Sequence, residues 1–381
     1  MRRGPLVTSG SPSVGRNCPS AGREARPAHV TSLPWRLRLH EAVRTFLIFL
    51  LAPLAVAQPP AFPGAAANYK AWVAARLPGN PEGLVFSRDG SMFASLWQSG
   101  RIVEVDPRGA VRTVGFVPDE ALGRQGITTG VELGPDGQLY VAYMWHYTPE
   151  EELDPKHLGC RNSQDVYTGI YRVDPRTGVT TPFLTKREGW PVCFPDDIAF
   201  DNHGGMYVTD LTLSGIWKLT PEHRFKLWST DPLLEWPEAP YSGFPEGAND
   251  VVIAPDGSAL FVVTGGSPAI VKVPIRSDGS AGPAMIVARD LGVLDGIELD
   301  ERGNIYVSEI YRNEVSVFSP DGSQRIVIGT AGTAPLDGPT SLSYRNGKLC
   351  VANSGMTSTD TREPHSIACL SGFRRPGDPQ P

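Results

Sequence analysis

The chain has 381 residues, with 35 Lys and Arg against 41 Asp and Glu, for a formal net charge of −6. No cluster of Lys and Arg stands out, which argues against nucleic acid and anionic membrane as partners. Five cysteines are present and none has zinc-finger spacing. Residues 1–44 are rich in Arg, Pro, Ser and Gly and lack apolar periodicity. The run Thr45–Ala57, TFLIFLLAPLAVA, follows Arg44 and ends in Ala55-Val56-Ala57. That pattern predicts a signal peptide cut before Gln58. Its 13 residues are too few for a spanning helix, which needs about 20. Residues 1–57 are therefore an expected leader, and no membrane span is expected after cleavage. Secretion or a periplasmic location follows. Removing the leader, with eight Arg and two acids, takes the net charge to −12.

Residues 58–69 are a short N-terminal segment, 70–372 the folded body and 373–381 a C-terminal tail. The body opens with YKAWVAARL, which reads as a strand or as a short amphipathic helix. NPEGLVFSRDGSMFASLWQSGRIVEVDPRG follows, three short strands joined through turn residues. Asp-Gly between alternating apolar runs is a strong hairpin signal. The pattern then recurs in TGVELGPDGQLYVAYMW, DDIAFDNHGGMYVTDLTLSGIWKLTP, NDVVIAPDGSALFVVTGGSPAIVKVP, DGIELDERGNIYVSEIYRNEVSVFSPDG and TSLSYRNGKLCVANSG.

The six units begin at Glu82, Thr129, Asp196, Asn249, Asp295 and Thr340, spaced by 47, 67, 53, 46 and 45 residues. The short spacings fit the roughly 40–50 residue period of propeller blades, and the longer ones fit blades with inserted loops. The predicted fold is all-β: a six-bladed β-propeller with four-stranded blades around a central channel. The sixth unit supplies only three strands, so the segment before Glu82 is predicted to close that blade as its fourth. Cys350 and Cys369 fall on strands expected to be adjacent in blade six. Cys160 and Cys193 flank the third strand pair of blade two. An even count in an exported chain predicts two local disulfides, with buried free thiols as the alternative.

In a propeller the innermost strand of each blade lines the channel, so the six opening residues form a ring at one mouth. A lone Asp or Asn at a strand entrance serves equally well to bond backbone amides in a turn. Four oxygen-bearing residues at equivalent places are harder to read that way. Crowded carboxylates repel, and one would stay protonated unless a cation relieved them. Asp, Glu and Asn oxygens suit Ca²⁺ better than Zn²⁺, with Mg²⁺, Mn²⁺ and Zn²⁺ as other candidates. Glu82, Asp196, Asn249 and Asp295 are thus the expected metal ligands. The glycines after Glu82 and Asp295 are expected to let the backbone turn tightly into the strand without crowding the channel.

PEGLVF, ANDVVIAPDG and LDGIELDERGNIYV resemble the motifs of the SMP-30/gluconolactonase/LRE-like family of six-bladed propellers, over roughly Pro81 to Gly355. Single blades are not specific, since NHL-type propellers share the PDG-x-hydrophobic-YV pattern. The order Glu, Asn, Asp in blades one, four and five is more so. The resemblance implies a divalent metal on Glu82, Asn249 and Asp295. The family usually has Asn in blade three, where this chain has Asp196. It also implies hydrolysis of a cyclic ester, with Asp295 as general base or nucleophile and Asp196 as an alternative base. Paraoxonases and the diisopropyl fluorophosphatase type are related propellers with similar ligands. No Gly-x-Ser-x-Gly elbow suggests a serine hydrolase.

Loops on the mouth face are expected to select the substrate, a small lactone or ester. Trp97, Trp145, His146, Tyr147 and Trp236 are candidates for an apolar wall, with Thr129 and Thr340 facing the substrate from the ring. Ordinary loop packing is the alternative for each aromatic. A monomer is expected. The competing function is a non-catalytic NHL-like propeller that binds protein, peptide or glycan on its face. A quinone-dependent redox propeller ranks last, for want of a repeated Trp docking motif.

Overall fold

A computed structural model describes residues 69–117, 127–144, 168–185, 192–220, 222, 224–235, 247–265, 267–357 and 365–378. The chain divides into units 1–60 and 61–381, and every described residue falls in the second. The expected leader and its cleavage point lie outside the described residues.

Among the described residues twenty-four strands follow one another, starting with β1 (Lys70–Arg76). Blade one is β2 (Pro81–Phe86), β3 (Met92–Leu96), β4 (Arg101–Val105) and β5 (Val111–Phe116). Blade two is β6 (Ile127–Leu133), β7 (Leu139–Met144), β8 (Thr168–Val173) and β9 (Thr180–Thr185). Blade three is β10 (Pro195–Phe200), β11 (Met206–Asp210), β12 (Gly215–Leu219) and β13 (Phe225–Ser229). Blade four is β14 (Ala248–Ile253), β15 (Ala259–Thr264), β16 (Ala269–Pro274) and β17 (Met285–Arg289). Blade five is β18 (Leu294–Leu299), β19 (Ile305–Glu309), β20 (Glu314–Phe318) and β21 (Arg325–Thr330). Blade six holds β22 (Pro339–Arg345), β23 (Lys348–Asn353) and β24 (Ser366–Ser371), with β1 as its outer strand. No α-helix occurs among the described residues, and no helix there is long and apolar enough to cross a membrane.

The predicted closure holds. β1 runs antiparallel to β24, with Trp72 opposite Cys369 and Lys70 opposite Ser371. The helical alternative for YKAWVAARL is set aside by this pairing, which ties the first and last strands of the propeller into one sheet. Each innermost strand contacts the next, β2, β6, β10, β14, β18 and β22, and β22 returns to β2. Such a ring leaves only short, protected edges.

The hairpins form where the Asp-Gly pairs predict them. Gly90, Gly137 and Gly257 take φ of +93°, +77° and +71°, a region that costs other residues the clash of a Cβ. Asp89 Oδ1 accepts the Ser91 amide at 2.9 Å, closing the first such turn.

The apolar residues that alternate along these strands meet between blades. Six clusters fill the six blade interfaces. One joins blades six and one through Leu84, Leu96, Val103, Cys350 and Ile367. Another joins four and five through Phe261, Ile270, Leu294 and Val307. Each fully buried Leu or Ile contributes roughly 1.5–3 kcal/mol, so the stack of blades, not any single sheet, carries the stability.

Cys350 lies opposite Cys369 on β23 and β24, and the two form the expected disulfide. Cys193 is also disulfide-bonded; Cys160, its expected partner, lies outside the described residues.

Candidate functional site

Every innermost strand breaks its pairing at the same place. On β2, Pro81 pairs with Leu96 and Leu84 with Ala94, so Glu82 and Gly83 together oppose Ser95. The same two-against-one arrangement leaves Thr129-Gly130, Asp196-Asp197, Asn249-Asp250, Asp295-Gly296 and Thr340-Ser341 unpaired. These are β-bulges, which bend a strand and re-aim its side chains. All six residues expected at the channel mouth are thus first members of equivalent bulges.

The glycines in these pairs relieve crowding, as expected, but not by way of a tight turn. None of Gly83, Gly130 and Gly296 has positive φ, so no special turn requires them. They face the neighbouring blade instead. A Cβ on Gly83 would lie 2.5 Å from the Val131 backbone nitrogen, and one on Gly296 2.9 Å from Ser341 Cα. Glycine there lets adjacent innermost strands close up around a narrow channel.

Hydroxyls lock the ring. Ser308 Oγ accepts the Gly296 amide at 2.7 Å and donates to the Thr340 carbonyl at 2.6 Å. Ser95 does the same between Gly83, at 2.8 Å, and the Thr129 carbonyl. Thr129 Oγ1 donates to the Pro195 carbonyl at 2.8 Å, and Thr340 Oγ1 to the Glu82 carbonyl at 3.1 Å. Both threonines are buried. Their hydroxyls tie one blade to the next, which gives them a structural use at the positions expected to face substrate. Behind the ring, buried Asp210 accepts the amides of Cys193 and Phe194 at 2.8 and 3.2 Å. Buried Glu309 accepts that of Gly292 at 2.6 Å. These two acids hold the segments leading into Asp196 and Asp295.

The ring is strongly acidic. Burial pushes Glu82 well above the usual carboxylate range, and the charges of Asp295, Asp196 and Asp197 push it further. Asp250, which sequence reasoning missed, is driven well up by burial and then by Asp197, Asp196, Asp295 and Glu82. Asp197, also missed, is pushed to about 6 by burial, against the opposing bonds from the Val251 and Ile198 amides. Both sit at the second bulge position, where other blades have Gly or Ser. The consecutive polar pairs in PDDI and AND were the available signal.

Asn249 Oδ1 is buried and has no hydrogen-bond partner among the described residues. An orphaned amide oxygen among carboxylates is costly unless a cation or another donor meets it. No three His, Cys, Asp or Glu side chains among the described residues gather tightly enough to enclose an ion by themselves. The first bulge positions carry the side-chain oxygens of Glu82, Asp196, Asn249 and Asp295, the donor type that suits a hard cation.

Beside the ring, Trp97 packs partly buried on Ile127, Met144, Phe194 and Leu211, an apolar cluster spanning the ends of blades one to three. Trp145, His146, Tyr147 and Trp236 lie outside the described residues.

Raised carboxylates set the pH response of the metal-free protein. Glu298, farther along the channel, rises from 4.5 to about 7, chiefly through burial, and Asp197 from 3.8 to about 6. The folded state then binds more protons than the unfolded state across this window, so stability falls as pH rises. Chelator-treated protein should melt at a higher temperature at pH 5 than at pH 7.5, as read by calorimetry. A melting temperature that rises over that interval would contradict the acidic channel described here.

Comparison with known proteins agrees with this architecture. Residues 165–342, just under half of the chain, match the family described as SMP-30/Gluconolactonase/LRE-like region. Strictosidine synthase-like 3 of Arabidopsis thaliana is 24% identical over 187 residues, 42% of this chain and 45% of that protein. Lactonase drp35 of Staphylococcus aureus (strain bovine RF122 / ET3-1) is 21% identical over 258 residues, 63% of this chain and 67% of that protein. The chain thus spans less than half of the first relative and about two thirds of the second. A gluconolactonase from Xanthomonas campestris superposes with a TM-score of 0.57 at 16% identity, covering 82% of this chain and 93% of that one. Regucalcin, a calcium-binding protein from Agrobacterium tumefaciens, gives 0.55 at 15%, covering 80% and 94%. At these identities the solved structures show the fold alone. The chain is a six-bladed propeller that resembles the SMP-30/gluconolactonase/LRE-like family in sequence as well as in fold.

Proposed function

We propose that this chain is an exported hydrolase of lactones or related small esters that works with a divalent cation, Ca²⁺ first among candidates. The observation that carries the reading is the set of six equivalent bulges, which bring Glu82, Asp196, Asn249 and Asp295 to one level of the channel. Likeness to a lactonase in sequence supports the substrate class.

Glu82, Asp196, Asn249 and Asp295 would hold the ion through side-chain oxygens. A bound divalent cation supplies polarisation of the ester carbonyl and stabilisation of the oxyanion. Asp295 takes the proton of the attacking water at a carboxylate oxygen, with Asp196 across the ring as the alternative base. The apolar cluster around Trp97 keeps bulk water from one side of the mouth. Trp145, His146 and Trp236, outside the described residues, stay candidates for substrate contact, as do Thr129 and Thr340 on the ring. The leader and the local cysteine pairs support export.

A panel of lactones and aryl esters, assayed with stripped protein and with Ca²⁺, Mg²⁺, Mn²⁺ or Zn²⁺ restored, tests this directly. Turnover of at least one class, dependent on the cation, is expected. No turnover with any cation would favour the non-catalytic propeller instead.

A further inference from the structure

The last residue of each second strand pairs with the residue that leads into its blade's bulge. Leu96 pairs with Pro81, Met144 with Ile127 and Asp210 with Pro195. Thr264 pairs with Ala248, Glu309 with Leu294 and Asn353 with Pro339. Of these six only Asp210 and Glu309 are carboxylates, and both are fully buried. They belong to blades three and five, whose bulges carry Asp196 and Asp295, the two candidate bases.

The fold does not require an acid at this position. Blades one and two close with Leu96 and Met144 there, both buried. Thr264 Oγ1 donates to the Ser267 carbonyl at 2.7 Å, within its own loop. Asn353 fastens the segment before Thr340 with a neutral amide: Oδ1 accepts the Asp337 amide at 3.2 Å and Nδ2 donates to the Pro335 carbonyl at 2.7 Å. A buried charge is costly unless it is well bonded, and apolar replacement of buried ionic groups is often neutral or stabilising. Carboxylates in just these two blades therefore call for a use other than stability.

Their bonds point to one. Besides the Cys193 and Phe194 amides, Asp210 accepts the Leu213 amide at 3.0 Å and Trp217 Nε1 at 3.4 Å. Donors from the segment feeding β10, from the loop after β11 and from β12 thus converge on one carboxylate. Glu309 accepts the Gly292 amide, and its charge is met by Arg312 Nη1 at 2.8 Å and by Arg325 of β21. Cys193 and Phe194 lie three and two residues before Asp196, and Gly292 three before Asp295. Holding these amides fixes the path of the backbone into each bulge, and with it the aim of the ring carboxylate. A displacement of about 1 Å at a reacting group costs about 10²-fold in rate.

We propose that Asp210 and Glu309 are positioning residues that aim Asp196 and Asp295 into the ring. This rests on the ring being a cation-assisted hydrolytic site, and the experiment reads cation binding and turnover separately.

Asp210→Asn and Glu309→Gln keep the side-chain shape but turn an NH2 toward amide donors. Isothermal calorimetry on stripped protein gives Ca²⁺ affinity, and steady-state kinetics gives ester kcat at saturating Ca²⁺. Each variant is expected to lose about tenfold or more in both, with the larger fall in kcat for Glu309→Gln, behind the first candidate base. Asp300→Asn is the control. Asp300 is an equally buried acid at the far end of β18, bonded to Asn304 and Arg375. Its loss should lower the melting temperature and leave affinity and kcat unchanged. If circular dichroism shows that a variant is unfolded, Asp210→Leu and Glu309→Met, which copy the residues of blades one and two, replace it. Wild-type affinity and kcat in both variants, with only the melting temperature lowered, would overturn the positioning role and leave the hydrolase standing. Should wild-type protein bind Ca²⁺ and turn over no ester, hydrolysis would fall, and lost affinity in the variants would still support positioning. Neither binding nor turnover in the wild type would overturn both.

Discussion

Asp295→Asn should leave a folded propeller whose ester turnover at saturating Ca²⁺ has fallen by about 10²–10⁴, the usual contribution of a positioned general base. The substitution keeps the shape of the side chain and its place in the β18 bulge. It removes the charge that attracts the cation and the oxygen that takes the proton. Raising the metal concentration restores occupancy but not the base, so kcat stays low. Glu82→Gln differs in kind: it weakens metal binding, and excess Ca²⁺ should recover much of the rate. Thr340→Ser is the control. It keeps the hydroxyl that bonds the Glu82 carbonyl and loses one methyl, at a cost of about 0.8 kcal/mol. Steady-state kinetics across a Ca²⁺ series separates the three. Wild-type kcat in Asp295→Asn would remove that residue from the mechanism.

Restoring Ca²⁺ to stripped protein at pH 7.5 should raise its melting temperature substantially. At a thousandfold excess over Kd, one site adds about 4 kcal/mol. For a domain of this size that is on the order of 5–10 °C. Two effects act in the same direction. The ion offsets the mutual repulsion of Glu82, Asp196, Asp250 and Asp295, and it gives Asn249 Oδ1 a partner. The gain should shrink at pH 5, where the raised carboxylates of the stripped protein take up protons and relieve the repulsion themselves. Calorimetry at both pH values checks the size and the sign. No shift with Ca²⁺, Mg²⁺, Mn²⁺ or Zn²⁺ would mean that the ring binds none of them.

The blades were legible because their turns are written in short-range chemistry. Asp-Gly marks the first hairpin of units one, two and four, and six strand-turn-strand units at a blade-like spacing allow few closed folds. The mouth positions were legible for a related reason: a polar residue at the start of an apolar strand stands out, and here it recurs at equivalent places. The bulges themselves were not visible. A bulge depends on the partner strand, and nothing in EGLVF states that Glu82 and Gly83 share the single partner Ser95. Hence the glycines were assigned to turns when close approach of the next blade requires them. For the same reason Asp197 and Asp250 were overlooked, since simple alternation places the residue after a channel-facing one away from the channel. Thr129 and Thr340 carry no local sign that their hydroxyls reach another blade's carbonyl. Glu132 and Glu298 carry no local sign that one cavity wall brings them together.

The central claim is that the bulge ring is a cation site, and Ca²⁺ titration of stripped wild-type protein beside Glu82→Gln tests it most directly. Glu82 is a first bulge residue whose carboxylate is pushed up by burial and then by Asp295, Asp196 and Asp197, so a cation gains from its charge. Isothermal calorimetry should show a tight site in the wild type and at least a tenfold loss of affinity in the variant, about 1.4 kcal/mol or more. Equal affinity in the two proteins, or no binding in either, would contradict the account.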